Sequence, residues 1–341
     1  MKSLPALGFS ALSGLALMIG CGVDQSDNSS TKFENKPLQI AVIPKGTTHE
    51  FWKSIHAGAV KAEREFNAAG TPVKIIWKGP LREDDRELQI QVVENFVSRK
   101  VDGIVLAPLD IEALVAPVEL AGQRKIPVVV IDSGLNTDQT ASYVSTDNYQ
   151  GGSLAAMHMG KILKGKGKAI LLRYQVGSAS TDQREQGFLD TMKEKFPGIE
   201  LVSTDQHTGA TRDKAYTAAQ NLLNQYAKDI DAVFAPCEPV TVGVLMALRD
   251  IGKAGGAIKL IGFDGGGQPV QALEKGDIEA LILQNPVRMG YLGVKTMVDH
   301  LQGKPIQKRI DTGVHVITRD NMNEPEMHAL LNPPLSEYLD E

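Results

Sequence analysis

At 341 residues with 42% hydrophobic content, the chain is long enough for two cores of ordinary domain size, which excludes a disordered protein. Its net charge of −5, with Lys and Arg spread along the chain, provides no basic face for a phosphate backbone, so no nucleic-acid partner is expected. Cys21 and Cys237 are the only cysteines, too few for a disulfide framework.

The first thirty residues read as lying outside the fold, with an export signal over 1–20. Lys2 supplies a positive start, 4–19 an apolar stretch too short for a comfortable membrane span, and Gly20 a small residue before Cys21. This resembles a bacterial lipoprotein signal, with Met18 where Leu is commonest. Cleavage before Cys21 would leave a lipidated N-terminus, whose several acyl chains anchor far better than one. The competing reading is an ordinary secretory signal with a fortuitous cysteine, and both export the protein. Residues 22–36 are rich in Asp, Ser, Asn and Gln and read as a disordered tether with a reach on the order of 20 Å.

From Pro37 onward, short apolar runs alternate with helical patterns. A strand over 38–43 precedes a helix over 51–67 with Ile55, Ala59, Ala62 and Phe66 on one face. Further strands are expected at 73–77, 103–107, 128–131 and 143–145, with helices at 82–99 and at 111–123, the latter N-capped by Asp110. The second half repeats the order, with strands at 169–173, 201–204, 232–235 and 259–262 and helices at 181–195, 212–226 and 240–252. This βαβ alternation implies parallel sheets with right-handed crossovers, and two such units fit the length better than one wide sheet. The runs ending at Asp132 and Asp264 are apolar on both faces and stop on an aspartate. Parallel sheets bind ligands outside the carboxyl ends of their strands, so both acids are candidates for a cleft. Their bland alternative is to cap the helices that follow.

Other motifs carry less. His49 and His56 lack the spacing that places two metal ligands on one helix face, so no metal site and no cofactor is expected. Residues 164–168 lack the full phosphate-loop pattern and 265–267 read as a flexible turn. No Gly-x-Ser-x-Gly elbow and no nucleophile-base set is present, and the chain is not expected to be an enzyme.

The segments 43–52, 101–108, 145–148 with Gly151-Gly152, 184–188 and 261–265 together resemble the ribose-binding-protein family of periplasmic substrate-binding proteins, from about 37 to 317. The resemblance implies the type 1 periplasmic-binding-protein fold, two doubly wound parallel-sheet α/β lobes joined by a three-strand hinge. The N-terminal lobe would span 37–146 plus 286–312, the C-terminal lobe 147–285 plus 313–332, and a tail 333–341. Crossings are expected near 145–148, 284–286 and 311–313. The implied role is that of a monomeric extracytoplasmic receptor, anchored in a membrane through Cys21, that closes on a sugar or sugar-like solute and delivers it to an ABC importer permease. A sensory receptor engaging a membrane kinase is the alternative.

Carried onto this chain, the family's ligand positions fall at His49, Phe51, Trp52, Asp132, Ser133, Arg184, Cys237, Asp264 and Gln284. Ser133 stands where sugar-binding members often have Arg, and Cys237-Glu238 where they often have Asn-Asp. The autoinducer-2-binding lipoproteins of the same superfamily offer a partial match at Lys45, Asp132, Asp182-Gln183 and Pro236. Carboxylates, Arg, Gln and aromatic rings suit a solute with hydroxyls and carbon faces.

Overall fold

The computed structural model describes residues 36–339; the export signal, Cys21 and the tether up to residue 35 lie outside the described residues. A first α/β unit runs β1 (Leu38–Ile43), α1 (Glu50–Ala68), β2 (Val73–Trp77), α2 (Arg86–Ser98), β3 (Gly103–Leu106), α3 (Val115–Gln123), β4 (Val128–Ile131) and β5 (Ser142–Ser145). The second runs α4 (Asn148–Ile162), β6 (Gly167–Leu171), α5 (Ala179–Lys195), β7 (Ile199–Ser203), α6 (Arg212–Tyr226), β8 (Ala232–Phe234), α7 (Glu238–Asp250), β9 (Lys259–Phe263), α8 (Gly267–Lys275) and β10 (Ala280–Gln284). The chain then returns to the first lobe with α9 (Pro286–Leu301) and β11 (Arg309–Asp311), and ends with β12 (Val314–Ile317), α10 (Pro325–Leu331) and a short 3-10 turn, Leu335–Glu337.

Two six-stranded sheets result, ordered β11-β5-β4-β3-β1-β2 and β12-β10-β9-β8-β6-β7. Strand sequence dictates their layers. In the first sheet Ile40, Val42, Val105 and Val129 pack against α1 and α9, while Ala41, Ile43, Ile104 and Val130 pack against α2 and α3. Period-two alternation with apolar residues on both faces is what a sheet covered by helices on both sides requires. The second sheet divides in the same way. Val233 and Leu260 face the cluster of α6 and α7, and Phe234, Ile261 and Phe263 face that of α4 and α5.

The lobes are joined at three places: from β5 into α4, from β10 into α9, and from β11 into β12. One strand departs from the expected parallel order. β12 pairs antiparallel with β10, with Gln284 opposite Val314 and Leu281 opposite Ile317. β11 lies parallel to β5, and the crossing from it, which includes Gly313 at φ 88°, is too short for a crossover helix.

Helix starts also differ from expectation, for local reasons. α2 begins at Arg86 rather than 82 because Asp85 accepts the N–H of Leu88 at 3.0 Å. Asp110 does not cap α3. Its Oδ1 accepts from the N–H groups of Glu112 and Ala113, both at 2.9 Å, and so caps a separate turn, while α3 starts at Val115.

Candidate ligand cleft

The carboxyl ends of both sheets face each other, and the loops leaving them enclose a small polar cavity. Lys45 follows β1 and Asp132 follows β4; Asp264 follows β9 and Gln284 ends β10. Asp132 and Asp264 both sit in left-handed backbone, at φ 62° and φ 68°. Asp tolerates this region better than most residues, and such positions concentrate where a site needs a side chain aimed away from the strand.

In the first lobe, Lys45 Nζ lies 2.9 Å from Asp132 Oδ2, with both side chains buried. The same ammonium reaches the second lobe, 3.2 Å from Ser180 Oγ and 3.5 Å from Ser178 Oγ. Ser133 adds another bridge, its hydroxyl accepting the backbone N–H of Ser180 at 3.0 Å. In the second lobe, Arg184 is fixed on three sides. Its Nε donates to Asn148 Oδ1 at 2.8 Å, its Nη1 donates to the carbonyl of Pro236 at 3.0 Å, and its guanidinium lies 3.8 Å from the centre of the Phe263 ring. Nη1 is also 4.0 Å from Asp264 Oδ2.

Arg184 can occupy this place because α4 and α5 touch through glycines. A Cβ on Gly152 would fall 1.8 Å from the carbonyl oxygen of Arg184, and one on Gly187 would fall 2.1 Å from that of Tyr149. No side chain fits at either contact.

Asp264 accepts from Gln284 Nε2 at 2.8 Å and from the N–H of Glu238 at 3.3 Å. Burial pushes its carboxyl up to about 6, against the pull of Arg184 and the hydrogen bond from Gln284. Four buried atoms of the cleft have no hydrogen-bond partner among the described residues: the donors Arg184 Nη2 and Asn148 Nδ2, the acceptor Gln284 Oε1, and Asp132 Oδ2, which has only its ion pair with Lys45.

A second cluster closes the cleft from the other side. Glu83, in the loop between β2 and α2, accepts from Trp52 Nε1 at 2.8 Å and from the Tyr174 hydroxyl of the other lobe at 2.6 Å. His49 Nδ1 stands 2.7 Å from the same carboxylate. Burial pushes Glu83 up, but the hydrogen bonds from His49, Tyr174 and Trp52 outweigh it and hold the carboxyl below its ordinary value. Burial likewise pulls His49 down, and the bond to Glu83 overcomes this and raises it. Glu238 is ion-paired with Arg212, yet burial still raises its carboxyl.

The sequence matches the model of the periplasmic binding protein domain over residues 40–305. The chain belongs to the periplasmic binding protein family. Within it, the relatives are those of ribose-binding type. The ribose import binding protein RbsB of Bacillus subtilis is 28% identical over 307 residues, covering 89% of this chain and 96% of its own. Among solved structures, a carbohydrate transporter solute binding protein from Agrobacterium radiobacter in complex with D-arabinose is 32% identical with a TM-score of 0.82, over 87% of this chain and 99% of that one. An ABC transporter solute binding protein from Agrobacterium vitis with bound D-fucose is 34% identical with a TM-score of 0.81, over 86% and 100%.

In this periplasmic binding protein the cavity wall contains Lys45, His49, Phe51, Trp52, Asp132, Arg184, Cys237, Glu238, Asp264 and Gln284. Ser133 and Pro236 are buried beside it and act through Ser180 and Arg184. Asp182 and Gln183 are exposed and are not in the wall. On a helix, neighbours in sequence point about 100° apart, so Thr181 and Arg184 share the cavity face and the two residues between them do not. Both aromatic residues reach the cavity: Trp52 joins it to the core of the first lobe, and its ring meets that of Phe51 edge to face at 4.9 Å. Cys237 is buried, and burial raises its thiol well above the usual value, which keeps it protonated and unreactive. Glu83, Tyr174, Ser178, Ser180 and Thr181 were not among the residues expected from sequence. They sit in loops or a first helical turn with no periodic pattern, and only the bonds across the cleft reveal them.

Proposed function

We propose that this protein captures a neutral sugar between its lobes and delivers it to an ABC importer. The observation that carries this reading is the set of unpartnered buried polar atoms at the cleft, donors on Arg184 and Asn148 and acceptors on Gln284 and Asp132, placed beside Asp264. A hydroxyl donates and accepts at once, so a ring bearing several hydroxyls matches such a set. Phe51 and Trp52 supply apolar cover for its carbon faces. Charge argues for neutrality. Lys45 is matched by Asp132, Arg184 by Asp264, His49 by Glu83 and Arg212 by Glu238, which leaves no surplus cation for a phosphate or carboxylate. The sugars bound by the two Agrobacterium relatives are consistent with this class.

A solute touching both lobes binds the closed arrangement more tightly than the open one and shifts the population toward it. Closure then presents both lobes together to the permease. Cys21 is read as the lipidated residue that holds the receptor at the membrane. Mass spectrometry of the protein from its native envelope should find an acylated Cys21 as the first residue; a free cysteine, or cleavage elsewhere, removes the anchor.

The sugar itself is tested by a thermal-shift screen of pentoses, hexoses and polyols followed by calorimetry. At a hundred times its dissociation constant, a ligand adds about 2.7 kcal/mol to folded stability. Absence of any shift or heat across the panel rejects a sugar as the solute.

A further inference from the structure

The cavity between the aspartates holds only about 30 Å³, room for on the order of two water molecules. Directly beside it is a second cavity of about 390 Å³, within the size range of small-molecule sites. Phe51, Asp264 and Gln284 belong to the walls of both. Gln284, a residue of both walls, is 3% exposed and its Oε1 has no hydrogen-bond partner among the described residues.

The chain after α10 forms part of the wall of the outer cavity. Met327 and Leu331 are embedded in the core of the second lobe, and the following residues, 332–336, line the cavity. The chain is then fastened to α1 of the first lobe. Arg64 donates to the carbonyl of Glu337 at 2.7 Å and to that of Tyr338 at 3.3 Å, and its guanidinium lies 5.5 Å from the Tyr338 ring centre. The lining pairs apolar Leu330, Leu335 and Pro333 with polar Glu50 and Asn332. Such a mixture suits a second ring with carbon faces and polar edges.

We propose that the solute is a glycoside, with one sugar ring admitted between the aspartates when the lobes part beyond the roughly 30 Å³ enclosed here, and a second ring, sugar or aryl, in the outer cavity beside the C-terminal segment. This rests on the sugar-capture reading, and the test separates the two. Each pentose and hexose of the panel is titrated by calorimetry into the full protein together with its phenyl α- and β-glycosides. For the sugar that binds, one phenyl glycoside should bind at least as tightly as the free sugar. Ser336→Trp, which places a ring in the outer cavity from an exposed position on its rim, should weaken that glycoside at least tenfold and leave the free sugar unchanged. Arg64→Ala, which frees the C-terminal segment of the cavity wall from α1, should weaken the glycoside more than the free sugar. Free sugar binding with both glycosides weaker overturns the outer subsite alone, as does a glycoside affinity that Ser336→Trp does not move. If neither sugars nor glycosides bind, the sugar reading falls and this one falls with it.

Discussion

Each lobe ends a central strand on an aspartate in left-handed backbone, yet the two aspartates keep different company. Asp132 faces Lys45, whose flexible stem also lets its ammonium meet Ser178 and Ser180 across the cleft. Asp264 faces Arg184, a planar group pinned by Asn148, Pro236 and the Phe263 ring. A compact ammonium adapts and a guanidinium fork is preorganised. On the proposed reading the same backbone device would serve two purposes: the second lobe would read the ligand with a fixed template, and the first would adjust to it on closure.

Four measurements would break or sharpen this contrast. The largest effect is expected from Arg184→Ala, which removes the fixed fork and leaves Asp264 without its cation. Affinity for the sugar should fall more than about a hundredfold in folded protein, since truncating one partner of a buried charge pair costs about 2–5 kcal/mol. Calorimetry giving a change below about tenfold would end the template reading.

Next is the pH dependence of Asp264. Its folded value of about 6 exceeds the ordinary 3.8, so the folded form binds more protons than the unfolded one between those values. The stability associated with the neutral carboxyl is therefore complete below the ordinary value and lost as pH rises through about 6. Between about pH 4 and about pH 7, ligand-free wild type should lose on the order of 3 kcal/mol relative to Asp264→Asn. Urea unfolding of the two proteins at each pH measures it; parallel curves would mean that Asp264 is ionised throughout. Asn is the informative replacement because it accepts left-handed backbone, whereas Ala adds strain to the loss of charge.

Lys45→Met keeps the stem and removes the ammonium, and affinity should fall about tenfold, less than for Arg184. Equal losses by calorimetry would erase the distinction between the lobes. The smallest change is expected from Tyr174→Phe, which deletes one cross-lobe bond while Glu83 keeps Trp52 and His49. A loss of about fivefold, near 1 kcal/mol, is expected. Small-angle scattering of the ligand-free variant should show a more open average shape.

The contrast was half legible in the sequence. Strand-terminal aspartates announce themselves because parallel strands are apolar on both faces and stop abruptly, and the family segments drew attention to Lys45 and Arg184. What pins Arg184 was not legible: Asn148 and Pro236 lie 36 and 52 residues away in sequence, the first brought to it by the packing of α4 on α5 and the second by the loop between β8 and α7. Glu83 and Tyr174 were hidden for the same reason, being 91 residues apart in two aperiodic loops. Asp182 and Gln183 stand exposed outside the cavity wall, because a linear motif match ignores the rotation of a helix. α3 was placed four residues early because a capping aspartate signals a turn as readily as a helix.

Trp52 and Trp77 are the only tryptophans in the chain. Trp77 is stacked on His56 at 4.4 Å, away from the cleft wall, whereas the indole of Trp52 donates to the one carboxylate that also receives Tyr174 from the opposite lobe. Separation of the lobes would change the hydrogen bonding and solvation of that carboxylate and therefore the polarity around an indole. Native tryptophan emission would then report any such closure without a dye or an engineered label.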